Sequence, residues 1–185
     1  IYALPLYVDT LALYYNEALF DQAGIALPPK NWKEFEDIVP KLRKLDKTGM
    51  VTQAAAAIGG SNRSINRATD LLELLMLQSG TQMVANDFSR ATLDSSVGVD
   101  ALGFYTKFAK SQNPLYTWHD SFHYSIDAFA QEEVAMLFNY SHQARLLRDK
   151  NPFLRFGIAP MLQPMEAIRE VNYANYWGLT AGAKS

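Results

Sequence analysis

His119 and His123 stand four residues apart with Asp120 between them, a spacing that on a helix sets two imidazoles on one face around a metal ion. No third ligand is identifiable, no glutamate holds the position of a catalytic base, and the flanking Trp118 and Tyr124 sit in a loop-like stretch. A metal centre is therefore not expected. Gly59-Gly60-Ser61-Asn62 lies between a strand-like run and a helix, where free backbone N–H groups could hold an anion or a hydroxyl. It lacks the Gly-Lys-Ser/Thr ending of a phosphate loop and the three-glycine dinucleotide pattern, which leaves two readings, a plain glycine turn or a ligand contact from Gly60, Ser61 and Asn62. No Gly-x-Ser-x-Gly pentapeptide marks a serine hydrolase. The chain has no cysteine, hence no thiolate nucleophile, thiolate zinc site or disulfide. Nineteen acidic residues leave a glycosidase carboxylate pair open. No catalytic signature stands out, and no cofactor is expected.

The aromatic residues are more informative. Tyr116, Trp118, Phe122 and Tyr124 crowd one stretch, Phe138 and Tyr140 end a strand-like run, and Tyr173, Tyr176 and Trp177 fall close together. Interleaved with them are Asn139, His142, Asn172 and Asn175, which mix flat apolar faces with uncharged hydrogen-bonding groups. A sugar needs both, because its ring face stacks on an aromatic while its hydroxyls demand paired donors and acceptors. Phe122, Phe129 and Phe138 read as ordinary core. Trp118, Tyr140, Tyr173, Tyr176 and Trp177, at strand ends or in loops, are open between core and ligand contact. No basic cluster suggests an anionic ligand.

Alternating strands and helices must position these groups. Tyr2–Val8 and Leu11–Tyr15 are two strand candidates, and Asn16 caps a short helix that Gly24 stops. Asn31 and Glu34 resemble a capping box for an amphipathic helix carrying Trp32, Phe35, Val39 and Leu42, with Pro40 inside it. A strand over 52–58 precedes a helix over about 65–79, and Ser95 or Ser96 opens the next. The irregular stretch 113–124 is long enough to suggest function. Further elements follow: a helix from Ser125, a strand over 134–138, a helix over 141–150, a strand over 154–159 and an apolar run over 176–180. This pattern predicts an α/β domain, a mixed, mostly parallel sheet with helices on both faces.

Composition sets the outer limits. With 185 residues, 49% hydrophobic and 19% charged, the chain is long enough for one packed core. A formal charge of −2 without a basic face argues against nucleic acid. No apolar run reaches the roughly 18 residues of a spanning helix. The chain opens and closes within strand-like runs, which predicts a piece of a longer polypeptide.

The run Tyr2-Ala3-Leu4-Pro5-Leu6-Tyr7-Val8-Asp9-Thr10-Leu11-Ala12-Leu13-Tyr14-Tyr15-Asn16, then Leu19-Phe20-Asp21-Gln22-Ala23-Gly24, Pro28-Pro29 and Asn31-Trp32-Lys33-Glu34-Phe35, resembles bacterial extracellular solute-binding proteins of the maltose-binding type, which serve ABC importers. Ser125-Ile126-Asp127-Ala128-Phe129-Ala130 leading to Val134-Ala135-Met136 is similar to that family's helix before a Gly-x-Ala-Met strand, with Glu133 where glycine or a similar turn residue is usual. The order of these pieces spans the whole chain. The resemblance implies a periplasmic-binding-protein-like lobe: residues 1–10 as an interlobe crossing, 11–171 as the second lobe and 172–185 as the return crossing toward a first lobe of the same chain.

It also implies a non-enzymatic role, capture of an oligosaccharide in the interlobe cleft and delivery to a membrane permease, outside the cytoplasm and tethered as a lipoprotein. Asp9 falls at an acidic crossing position, the Gly59–Asn62 turn at a cleft-facing loop, and Tyr140 with His142 at an aromatic platform. A carbohydrate-active hydrolase, or a binder of peptides or polyamines, is the alternative.

Overall fold

The computed structural model describes residues 3–166 and 170–180, and of residues 3, 5 and 176–180 the backbone alone. The two strand candidates at the start form one strand, β1 (Ala3–Asn16), whose halves lie in different surroundings. Leu4 and Leu6 are 62% and 61% exposed, whereas Leu11 and Leu13 are 1% and 0% exposed. The first half pairs antiparallel with β6 (Ala174–Thr180), from Ala3 opposite Thr180 to Thr10 opposite Ala174. The register slips between Pro5 and Tyr7, next to the residue that lacks an N–H. The second half enters the main sheet between β4 (Val134–Tyr140) and β5 (Phe156–Ala159).

The elements between are α1 (Glu17–Gln22), α2 (Trp32–Leu42), β2 (Lys44–Leu45), β3 (Val51–Ala56), α3 (Ala68–Gln78), α4 (Ser96–Thr106), a 3-10 turn (Lys107–Ala109), α5 (Ser125–Ala130) and α6 (Gln143–Lys150). Asn16 caps α1 by accepting the Leu19 N–H at 3.0 Å, and Asn31 caps α2 by accepting the Glu34 N–H at 2.8 Å. Pro40 sits in the last turn of α2, which ends two residues later at Leu42. The sheet order is β2-β3-β4-β1-β5.

The expected sheet is mixed, but not mostly parallel. Among the described pairings, β3–β4 is parallel and the other four are antiparallel. The register explains the difference. β3, β4 and β5 run the same way, as strands joined through helices should, but β1 inserts between β4 and β5 in the opposite direction.

β4 is buried along its whole length because both sheet faces are covered. On the face of Leu13 and Phe138, the rings of Trp32 and Phe35 lie 5.7 and 5.8 Å from Phe138. On the face of Tyr14 and Leu137, Phe156 lies 5.9 Å from Tyr14 and 6.2 Å from Phe129 of α5. Phe129 and Phe138 are core, and Phe122 packs half-buried against it.

Candidate functional site

The parallel strands β3 and β4 both end at the place where β1 leaves the main sheet for its pairing with β6. In open α/β sheets the crevice beyond the carboxyl ends of such strands is the usual ligand position. A cavity of about 350 Å³ opens there, lined by Tyr7, Asp9, Arg67, Tyr140, His142 and Asn175. Of the residues singled out by sequence, Asp9, Tyr140, His142 and Asn175 are brought together.

Asp9 ties β1 to the turn after β4. Its Oδ1 accepts the Ser141 N–H at 3.1 Å and the Ser141 hydroxyl at 2.8 Å, and its Oδ2 lies 2.8 Å from His142 Nδ1. The Gln143 amide nitrogen lies 2.9 Å from His142 Nε2, so Nε2 accepts and Nδ1 donates to Asp9. Burial pushes the Asp9 carboxyl up, but the hydrogen bonds from His142 and Ser141 outweigh it and hold the pKa below the ordinary 3.8. The lowered value fixes the sign of the pH dependence. Asp9 contributes stability that is complete above its unfolded-state pKa and is lost as pH falls through the lower folded-state value. Denaturant melts at stepped pH should show the wild-type advantage over Asp9→Asn holding steady from neutrality down to about pH 4 and shrinking below it; an advantage that grows on acidification would contradict the arrangement.

Tyr140 differs from the sequence expectation of an open stacking platform. Its ring is fully enclosed, with the Arg67 guanidinium carbon 5.1 Å from the centroid and the His142 ring 6.0 Å away at 13°. Its hydroxyl donates to Asp70 Oδ2 at 2.7 Å, and burial together with that carboxylate pushes its pKa up. Sequence reasoning missed two of the lining residues, Tyr7 and Arg67. Arg67 is isolated in the sequence and carries no motif, but its φ of +65° is left-handed, a conformation that costs a non-glycine residue about 1–2 kcal/mol and is found preferentially at functional sites. No basic cluster was expected and none lines the cavity, but the fold delivers a single guanidinium there, at the entry to α3.

The glycine turn reaches the site differently from expected. Gly60, Ser61 and Asn62 do not line the cavity. The Gly60 carbonyl accepts the Tyr105 hydroxyl at 2.7 Å, and a Cβ added to Gly60 would stand 2.9 Å from Trp118 Cδ1. The turn continues instead to Asn66, whose Oδ1 accepts from Asn139 Nδ2 at 3.0 Å, and then to Arg67. Trp118 is likewise corrected. It is 0% exposed, its Nε1 donates to Ser64 Oγ at 3.0 Å and its ring stacks 5.0 Å from Phe122, so it braces this loop and presents no face to a ligand.

Tyr173 lines a neighbouring apolar groove of about 490 Å³ with Leu72, Met76, Met83 and Leu93. Its hydroxyl bonds Glu73, which together with burial pushes its pKa up to about 12. The backbone of Tyr176 and Trp177 pairs with Val8 and Tyr7, while their side chains lie outside those described. His119 Nε2 donates to the Val51 carbonyl at 3.0 Å and His123 Nδ1 lies 2.9 Å from Glu133, so the two imidazoles serve different elements. Among the described residues no group of three or more His, Cys, Asp or Glu could hold a metal ion.

The family profile for the bacterial extracellular solute-binding protein matches residues 2–184. A Brucella abortus (strain 2308) protein described as a candidate binding protein is 24% identical over 166 residues, which are 85% of this chain and 37% of that one. An ABC transporter solute-binding protein from Thermotoga lettingae, solved with α-D-tagatose, superposes with a TM-score of 0.72 at 27% identity, covering 100% of this chain and 46% of that one. The GacH receptor of Streptomyces glaucescens, solved unliganded and with acarbose, gives 0.71 at 20% identity, with 100% and 45% coverage, and shows the same fold. The chain thus spans less than half the length of these relatives. With the profile matching nearly end to end, the chain belongs to the bacterial extracellular solute-binding protein family.

Proposed function

We propose that this chain is the second lobe of a two-lobed solute-binding protein of an ABC importer, which captures a carbohydrate in the interlobe cleft and hands it unchanged to a membrane permease. Residues 11–171 are the lobe, and residues 1–10 and 172–185, of which 1–2 and 181–185 lie outside the described residues, are the crossings toward a first lobe. The observation that carries this reading is the position of the cavity, at the point where β1 passes from the main sheet into the ribbon with β6. The exposed apolar side chains of that ribbon, Leu4, Leu6, Tyr7 and Val8, fit a strand that continues against another body. The family and the solved relatives are binding proteins, which favours binding over catalysis. The sugars and analogues bound to solved relatives favour carbohydrate over peptide or polyamine.

The lobes work by closing. A solute that touches both has higher affinity for the closed form and shifts the population toward it, the form a permease recognises. Among the described residues no helix is long and apolar enough to cross a membrane, and the proposed setting is extracellular or periplasmic, held by a lipid anchor on the full-length protein.

Half a cleft supplies half the contacts. Isothermal titration of these 185 residues alone should show no tight sugar binding, weaker than the full-length protein by about 100-fold or more, since each lost 1.4 kcal/mol is tenfold. Sub-micromolar binding by the single lobe would overturn the two-lobed reading.

A further inference from the structure

The next step rests on the carbohydrate reading above and narrows it. Arg67 lines the cavity, yet the protein does little to satisfy it. Its Nε is buried and has no hydrogen-bond partner among the described residues. The nearest carboxylate oxygen, Asp70 Oδ2, is 3.9 Å from Nη1 and already accepts from the Tyr140 hydroxyl. Asp9, the carboxylate among the lining residues, already receives the Ser141 N–H, the Ser141 hydroxyl and His142 Nδ1–H. Both acids are therefore answered by other donors, and the guanidinium is the charged group left with spare hydrogen-bonding capacity.

The placement of Arg67 also changes what a solute meets. Its guanidinium lies over Tyr140, whose ring is fully enclosed, so a pyranose entering the cavity encounters a cation where a bare aromatic face would otherwise stand. A guanidinium pairs best with a planar, two-oxygen acceptor, and such charge-assisted bonds are about twice as strong as neutral ones. α3 begins at Ala68 with no side chain capping it, which adds positive partial charge beside Arg67. We infer that Arg67 is the specificity-determining residue of the site and that the solute it selects is a sugar acid, a saccharide carrying a carboxylate. Asp9 in the lining and, outside it on α3, Asp70 and Glu73 oppose a second negative charge in the cavity. They restrict the carboxylate to the Arg67 side and leave the hydroxyls to Asp9, His142 and Asn175.

The test is isothermal titration of the full-length protein with matched pairs, glucose against glucuronate and maltose against maltobionate, at low and moderate salt. The acid should bind at least about tenfold tighter than its neutral partner, with the preference shrinking as salt rises. Arg67→Gln should weaken the acid at least about tenfold more than the neutral sugar, and Arg67→Lys, which keeps the charge but loses the fork, should fall between. Melting curves of both variants report whether they fold as the parent does. Equal or tighter binding of neutral sugars, with Arg67→Gln affecting both members alike, would overturn the inference and leave the carbohydrate reading standing. Absence of binding to every sugar and sugar acid, with a peptide or polyamine stabilising the protein instead, would overturn both.

Discussion

Trp118→Ala should destabilise the protein by about 3–5 kcal/mol, the range for emptying a fully buried large aromatic site. The effect follows from what the indole touches. It stacks on Phe122, donates to Ser64 Oγ, and fills the space against Gly60, while Ser64 in turn donates to Asp120 at 2.6 Å. Removing the indole leaves a cavity and deprives Ser64 of its donor, and it loosens the stretch from Gly59 to Arg67 that sets the cavity wall. Denaturant unfolding should show the lowered midpoint with the slope nearly unchanged. Trp118→Phe, which keeps much of the packing and loses the Nε1–H bond, should lose less. A Trp118→Ala protein as stable as the parent, but deficient in sugar binding, would instead restore the stacking-platform reading that the burial of Trp118 removes.

The second large effect is on binding. Asp9→Ala in the full-length protein should lower affinity for the solute by about 10- to 100-fold, because charged hydrogen bonds contribute about 1.5–3 kcal/mol. Asp9 holds Ser141 through two bonds and orients His142 through a third, so its loss frees the His142 side of the cavity as well as removing a carboxylate from its lining. Asp9→Asn keeps an acceptor for Ser141 and should show a smaller loss. Titration calorimetry against the same sugar, with melting curves as the control for folding, distinguishes the two; equal affinity across parent and variants would remove Asp9 from the site.

These effects show which parts of the molecule were legible in the sequence. Local signals were. Asn16 and Asn31 cap the helices assigned to them, and the continuous apolar run 134–138 is the strand covered on both faces. Pairing direction was not legible, because alternation of strands and helices specifies that β3, β4 and β5 run together but not that β1 separates β4 from β5. The site was half legible. Asp9, Tyr140, His142 and Asn175 were picked for chemistry that suits sugars, and the crossing of β1 brings them together across more than 160 residues of chain. Trp118 carried the same aromatic signal, yet only tertiary packing decides whether an indole in a loop faces in or out. Arg67 left no trace, since its role comes from a left-handed backbone angle and from a neighbour 73 residues away.

The central claim, a cleft that grips a sugar at the β1 crossing and releases it intact, is tested most directly by titrating the full-length protein with a panel of neutral and acidic saccharides and recovering the bound sugar for analysis. The account predicts saturable one-to-one binding that Asp9→Ala weakens, with the sugar returned unchanged after prolonged incubation. Binding of no saccharide, or recovery of cleaved or modified sugar, would contradict it.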